Sequence, residues 1–582
     1  MTWTAERVVG AVRSGASFKN ESLEALDLRG RDLRGASFAG ARISGCNFGE
    51  ANLTGASFAR AIVASSSLRG ALADGCDLSE ALVTGADLSS VALRGAKLAG
   101  LRAPAVVLTG ADLEAADLTG AVLMGARLEN ARLRGAKLVD VKLDMARLEG
   151  ADLSETTIEQ ASFSRAVLAG VKLDGARVTK ALFAEADLSR AAIATARVEE
   201  AVFVRADLRG ASLPRHLVKC ILDGAKVAAG DLAGADLSAS ELSELDLRNA
   251  DFEGADLSFT ILRGADLRGA RLRGANLERA LLDGCDLRGA DFDGAKLGGA
   301  SFAEANLSGV DLSGATMLLG DFAGADLRGA NLRGVKLELT SLRGADLREA
   351  DLTRANLDSV TLPDVQLAGA KLDRTTFRKV DFAGIDLSGV CLRGLSLSLC
   401  SFVGAQLKNG DLEACDLSCA DFSGADLSGA RLRGANLDKA CFKGAILAGA
   451  DLSDVDARGA FLGEADLSHA RLGASRLRYA TFASAVLSDA DLRGADMRDT
   501  VCPGLVAERA KLRGVRLAHA DLSHAVLRHA DLHSADLTHA NLHEVADDGA
   551  DFSRAELGGV RRTDLERRAA ERFSPREPRR QA

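Results

Sequence analysis

The chain has 582 residues, 47% hydrophobic and 27% charged, with a formal net charge of −9. No apolar run approaches the roughly 20 residues a membrane helix needs, and no signal-peptide core opens the chain. The expectation is a cytoplasmic protein with a protein partner, no membrane association and no direct nucleic-acid binding.

The first element, within residues 1–15, reads as a short helical cap. Thr4 is its N-cap, and Val8, Val9 and Val12, helped by Trp3, form an apolar face that can cover whatever follows.

From Phe18 to Leu557 one five-residue pattern dominates. A large apolar residue recurs at Leu28, Leu33, Phe38, Ile43 and Phe48, and later at Phe322, Leu327, Leu332, Leu337 and Leu342. Two residues earlier stands a small residue, Asp or Asn often precedes the apolar one, and Gly often ends the unit. A period of five fits neither a helix of 3.6 nor a strand of two, so it is the period of one side of a coiling backbone. The phenylalanines give the number of sides. Phe18, Phe38 and Phe58 are twenty apart, as are Phe163, Phe183 and Phe203, then Phe302 and Phe322, then Phe382, Phe402, Phe422 and Phe442. Like rings stack best in neighbouring coils, so four sides make one square turn. About 27 such coils at roughly 4.8 Å would give a rod of roughly 130 Å.

On these residues the chain resembles the pentapeptide-repeat family, and the resemblance covers more than nine tenths of it. It implies an all-β fold, a right-handed quadrilateral parallel β-helix, with short helical caps at both ends. The first register spans 16–213 and the second 222–559. Between them a slip at 214–221 spaces core residues by four and then five, so that the Phe203 column continues through Leu222 and Leu242. Pro214 lacks a ladder donor, so a local bulge or slight kink is expected there and not a domain boundary. Cys46, Cys76, Cys220, Cys285, Cys400 and Cys415 take the small inward position, as reduced packing residues.

Residues 231–330 hold 18 acidic against 9 basic residues. An acidic patch is read at Asp231, Asp236, Glu241, Glu244, Asp246, Asp251, Glu253 and Asp256, either a solvated face or a dock for a basic partner. Along the rest of the chain, Asp before the core residue is often followed by Arg after it, which largely cancels the charge.

One of the four corner columns departs from Gly. It carries Phe259, Leu319, Leu339, Leu399 and Tyr479 among polar residues, and upstream Asn20, Arg60, Glu80, Asp140, Gln160, Lys180 and Glu200. A turn without positive φ would explain why Gly is not needed there. It would not explain the choice of large apolar residues in a line, which marks an interaction ridge. In the same column His519 and His539 should lie one coil apart, the best-placed pair for a metal, although use as plain corner residues accounts for them.

At the end, 560–582 reads as a helical cap with a flexible tail. Leu565, Ala569 and Phe573 share one face, and the Arg-rich ending favours a monomer over the C-terminal dimer known in the family. No nucleotide-binding loop, nucleophile elbow or zinc-protease motif is present, so neither an enzyme nor a cofactor is expected. The reading is a rigid scaffold or spacer that binds proteins. The resemblance adds two alternatives: a DNA mimic that inhibits or protects a type II topoisomerase, and a bacterial secretion-system accessory or effector.

Overall fold

A five-residue side has room for three extended residues and a two-residue corner, and this sets the strand length. In the computed structural model, which describes residues 3–227, 230 and 232–572, nearly every side sets a buried residue between two that are exposed or half-buried. There are two compact units, Met1–Ser301 and Phe302–Ala582, and each is a right-handed four-sided parallel β-helix.

In the first unit β1 (Ser22–Glu24), β2 (Arg42–Ser44), β3 (Ile62–Ala64) and β4 (Leu82–Thr84) stack in parallel, with Leu23, Ile43, Val63 and Val83 in register at twenty-residue steps. A second sheet holds β5 (Lys137–Val139), β6 (Thr157–Glu159), β7 (Arg177–Thr179), β8 (Arg197–Glu199) and β10 (His216–Val218). A short pair, β9 (Asp207–Leu208) and β11 (Lys226–Val227), lies beside the slip. In the second unit β12 (Thr316–Leu318), β13 (Lys336–Glu338), β14 (Asn356–Asp358) and β15 (Thr376–Arg378) form a four-stranded parallel ladder. Elsewhere most sides within each unit pair with the next coil through single parallel bridges.

The slip removes one residue without changing faces. Leu217 stands opposite Val198, nineteen residues earlier, and Phe203 N–H donates to Ile221 O at 2.7 Å. Pro214, which has no N–H to donate, is buried at this point.

The core is a set of stacked columns. Phe382, Phe402, Phe422 and Phe442 lie with ring centroids 4.9, 4.6 and 4.9 Å apart and planes within 4° of parallel. The columns Phe18–Phe38–Phe58 and Phe163–Phe183–Phe203 repeat the arrangement at 4.9–5.1 Å. Some inward small positions carry a polar atom that completes the backbone bonding. Cys46 N–H donates to Ser66 Oγ at 3.1 Å, and Ser66 in turn donates to Ala64 O. Burial pushes the thiols of Cys76, Cys220, Cys285 and Cys502 up to about 12, which leaves them unreactive at neutral pH.

The two terminal helices are held differently. In α1 (Ala5–Arg13) the Thr4 side chain caps Arg7 N–H, Val8 is fully buried, and Trp3 sits edge-on to Phe18 at 5.0 Å. The helix α2 (Leu565–Glu571) is capped by Asp564 but buries none of its residues. The apolar docking face read from Leu565 and Ala569 is corrected: Leu565 is 72% exposed and Ala569 is exposed too, while Phe573 lies outside the described residues. The physical reason is on the receiving surface, where His543 and Glu544 offer hydrogen bonds and charge to Glu571, Arg568 and Arg572. No helix among the described residues is long and apolar enough to cross a membrane.

Candidate interaction surface

The corners decide what the surface can present. The expectation that the fourth column turns without positive φ is corrected, because φ is 57° at Phe259, 60° at Leu319, 50° at Leu339, 61° at Leu399 and 64° at Tyr479. Asn20, Arg60, Glu80, Asp140, Gln160, Lys180 and Glu200 share this left-handed backbone. Four sides of five residues close into a square only if each corner turns the chain tightly, so no column escapes the requirement. Large side chains here stand against a local cost of about 1–2 kcal/mol each.

The structure places those five side chains outward, between 47% and 62% exposed. Within the second unit Leu319 and Leu339 occupy consecutive coils, and Leu318 beside them is also exposed. Leu399 and Tyr479 follow in the same column, after Ser359 and Lys379 and then after Cys419, Lys439 and Gly459. The Arg478 guanidinium lies over the Tyr479 ring at 4.7 Å. Phe259 belongs to the first unit, where Arg279 covers its ring at 5.5 Å.

Three of the eight acids of the patch are matched by arginine. Asp246 pairs with Arg248 at 2.6 Å, and Asp251 and Glu253 both pair with Arg271, at 3.0 and 2.7 Å. Asp256 accepts from Asn276 and from Ser258 N–H, and Asp236 lies 3.6 Å from His216. Glu244 is an exposed corner residue, Glu241 is half-buried, and Asp231 lies outside the described residues. The Asp-Leu-Arg units zip along the coils: Arg248 reaches Asp246 and Asp266, Arg268 reaches Asp266 and Asp286, and Arg288 closes on Asp286. Arginine pairing therefore offsets part of the charge that a DNA-like face needs, while residues 231–330 keep twice as many acids as bases.

These pairs give a pH expectation. Hydrogen bonds from Arg248, Arg268 and Arg288 hold the carboxyls of Asp246, Asp266 and Asp286 below their ordinary value. A depressed folded value contributes stability that is full above the unfolded value and lost as pH falls through the folded one. Melting temperature should hold down to about pH 4 and drop between about pH 4 and 2. Circular-dichroism melts at pH 7, 4 and 2.5 check this, and equal melting at all three would show that the pairs contribute nothing.

His519 and His539 stack with centroids 5.0 Å apart and planes 21° from parallel. Among the described residues the one group of three metal-type side chains that converges is a different one: His524, His543 and Glu571. The sequence reading missed it because 28 residues and a helix start separate His543 from Glu571. It also passed over the outward position before each core residue. There Leu182, Val202 and Ile221 line up in the first unit, and Phe461 and Val501 flank Thr481 in the second. The same twenty-residue step, applied to that position, was the signal.

The sequence profile "Pentapeptide repeats (8 copies)" matches fifteen overlapping or adjacent segments between residues 22 and 545, the longest gap being 184–219 around the slip. The chain belongs to the pentapeptide repeat family. No curated protein sequence matches it. Among solved structures, it is similar to HetL, a pentapeptide repeat protein involved in heterocyst differentiation regulation from the cyanobacterium Nostoc. Identity is 24%, over 52% of this chain and 97% of HetL, with a TM-score of 0.20. QnrB1, a plasmid-mediated fluoroquinolone resistance protein, is 18% identical over 36% of this chain and 93% of its own, with a TM-score of 0.25. A pentapeptide repeat protein of the Arabidopsis thaliana thylakoid lumen is 30% identical over 22% of this chain and 68% of its own, with a TM-score of 0.09.

Proposed function

We propose that this pentapeptide repeat protein is a non-enzymatic scaffold that binds a protein partner through the corner ridge of its second unit, at Leu319, Leu339, Leu399 and Tyr479. One observation carries this reading: the largest apolar side chains of the column sit exposed at left-handed corners, where glycine fits without cost. Folding does not select them, and a line of exposed apolar and aromatic residues is what a protein interface uses as anchors. Phe259 would serve the first unit in the same way.

Leu319, Leu339, Leu399 and Tyr479 changed together to Gly should leave the coil intact and abolish partner capture. The measurement is quantitative affinity capture from source-cell extract, with wild type and variant side by side. A partner retained equally by both removes the ridge from the proposal, whatever that partner is.

A further inference from the structure

The attachment of α2 has chemistry of its own. Glu544 receives Arg568 and Arg572, each at 2.9 Å, and Glu544 N–H donates to Thr563 Oγ1. Glu571 Oε2 lies 3.2 Å from His543 Nε2 and 3.3 Å from His524 Nε2, while Arg567 holds its other oxygen at 2.7 Å. His543 is an outward residue, yet it is only 1% exposed. Its ring stands edge-on to His524, 5.4 Å away.

The spacing of the three groups resembles a metal centre, but one hydrogen bond argues otherwise. Asp564 N–H donates to His543 Nδ1 at 3.0 Å. A neutral imidazole carries one proton, so here that proton is on Nε2, directed at Glu571. Histidines that ligate a metal donate from their second nitrogen, and this one accepts.

We infer that α2 is a proton-sensitive electrostatic latch, closed while His543 is neutral and released when it is protonated. A second proton must go on Nδ1, against the N–H of Asp564, and the bond that seats the helix start is lost. Imidazoles take up that proton between about pH 5 and 8. At neutral pH the acids Asp564, Glu544 and Glu571 balance Arg567, Arg568 and Arg572. Protonating His524 and His543 adds two positive charges to this cluster. Glu571 stays ionised in mild acid, because Arg567 foremost holds its carboxyl below the usual range. Attraction of protonated His543 to Glu571 opposes release, but Glu571 already accepts the Nε2 proton and is shared with Arg567. None of the residues Leu565–Glu571 is buried, so the helix itself holds no buried apolar side chain against departure. Release lays open His543, two residues past Asn541, which belongs to the outward row of Phe461, Thr481, Val501 and Asp521.

Hydrogen–deuterium exchange of peptides covering 561–572 in the full chain, at pH 7.5 and 5.5 and corrected for intrinsic rates, tests the latch. Protection of α2 in wild type should fall at least about tenfold at pH 5.5. His543→Asn, which keeps an acceptor for Asp564 N–H but cannot be protonated, should stay protected at both pH values. Glu544→Gln should already lose protection at pH 7.5. Equal wild-type protection at the two pH values overturns the inference, as does equal loss in wild type and His543→Asn. A tenfold gain in protection on adding zinc at pH 7.5 also overturns it, since the three groups would then be a metal centre.

Discussion

Phe402→Asp is expected to open the second unit around its own coil while surface changes beside it do almost nothing. Phe402 is fully buried between Phe382 at 4.9 Å and Phe422 at 4.6 Å. Removing such a ring alone costs about 3–5 kcal/mol. Asp adds the desolvation of a carboxylate with no partner in an apolar column, so the loss should exceed the upper end of that range. In a solenoid each coil is held only by its neighbours, so damage stays local before it spreads. Limited proteolysis should give new cleavages between Phe382 and Phe442, together with a lowered melting transition. Ser401→Asn, one residue away but facing outward, should change stability by less than about 0.5 kcal/mol. If the two variants melt alike, the inward assignment of the phenylalanine column is wrong.

The column was legible because phenylalanine spacing of twenty reports directly on which residues share a level of the core. The slip was legible for the same reason, since Leu217 and Leu222 restore that spacing one residue early. Backbone conformation was not legible at the corners. Gly at three columns and Leu, Lys or His at the fourth looked like two kinds of turn, yet Gly100 has φ 68° and Lys180, in the same column, has φ 54°. The coil geometry imposes the conformation and side-chain preference only adjusts its cost. Nor did composition reveal which acids of the section are paired, because pairing depends on which Arg lies twenty residues from which Asp, as Arg271 does from Asp251. The docking of α2 had no sequence signal at all. Its apolar residues pointed to a hydrophobic cap, and only the fold brings Glu571 to His543.

Replacing the ridge by glycine should strengthen the fold while it removes the proposed function. Leu319, Leu399 and Tyr479 hold φ of 60°, 61° and 64°, a conformation that costs a residue with Cβ about 1–2 kcal/mol. Glycine removes that cost but gives the unfolded chain more freedom, worth about 0.4–1 kcal/mol. Each side chain is about half exposed or more, so little packing is lost with it. The net gain is about 0.5–1 kcal/mol per site, and the sites are several coils apart, so the triple variant should gain about 2 kcal/mol. The matching alanine variant keeps the strained backbone and should gain nothing. Denaturant unfolding of the two variants beside wild type separates the effects. A stability gain in the glycine variant would show that these exposed side chains do not serve the coil. A triple glycine variant less stable than wild type would show that these side chains serve the coil itself, and the ridge would lose its claim to a partner.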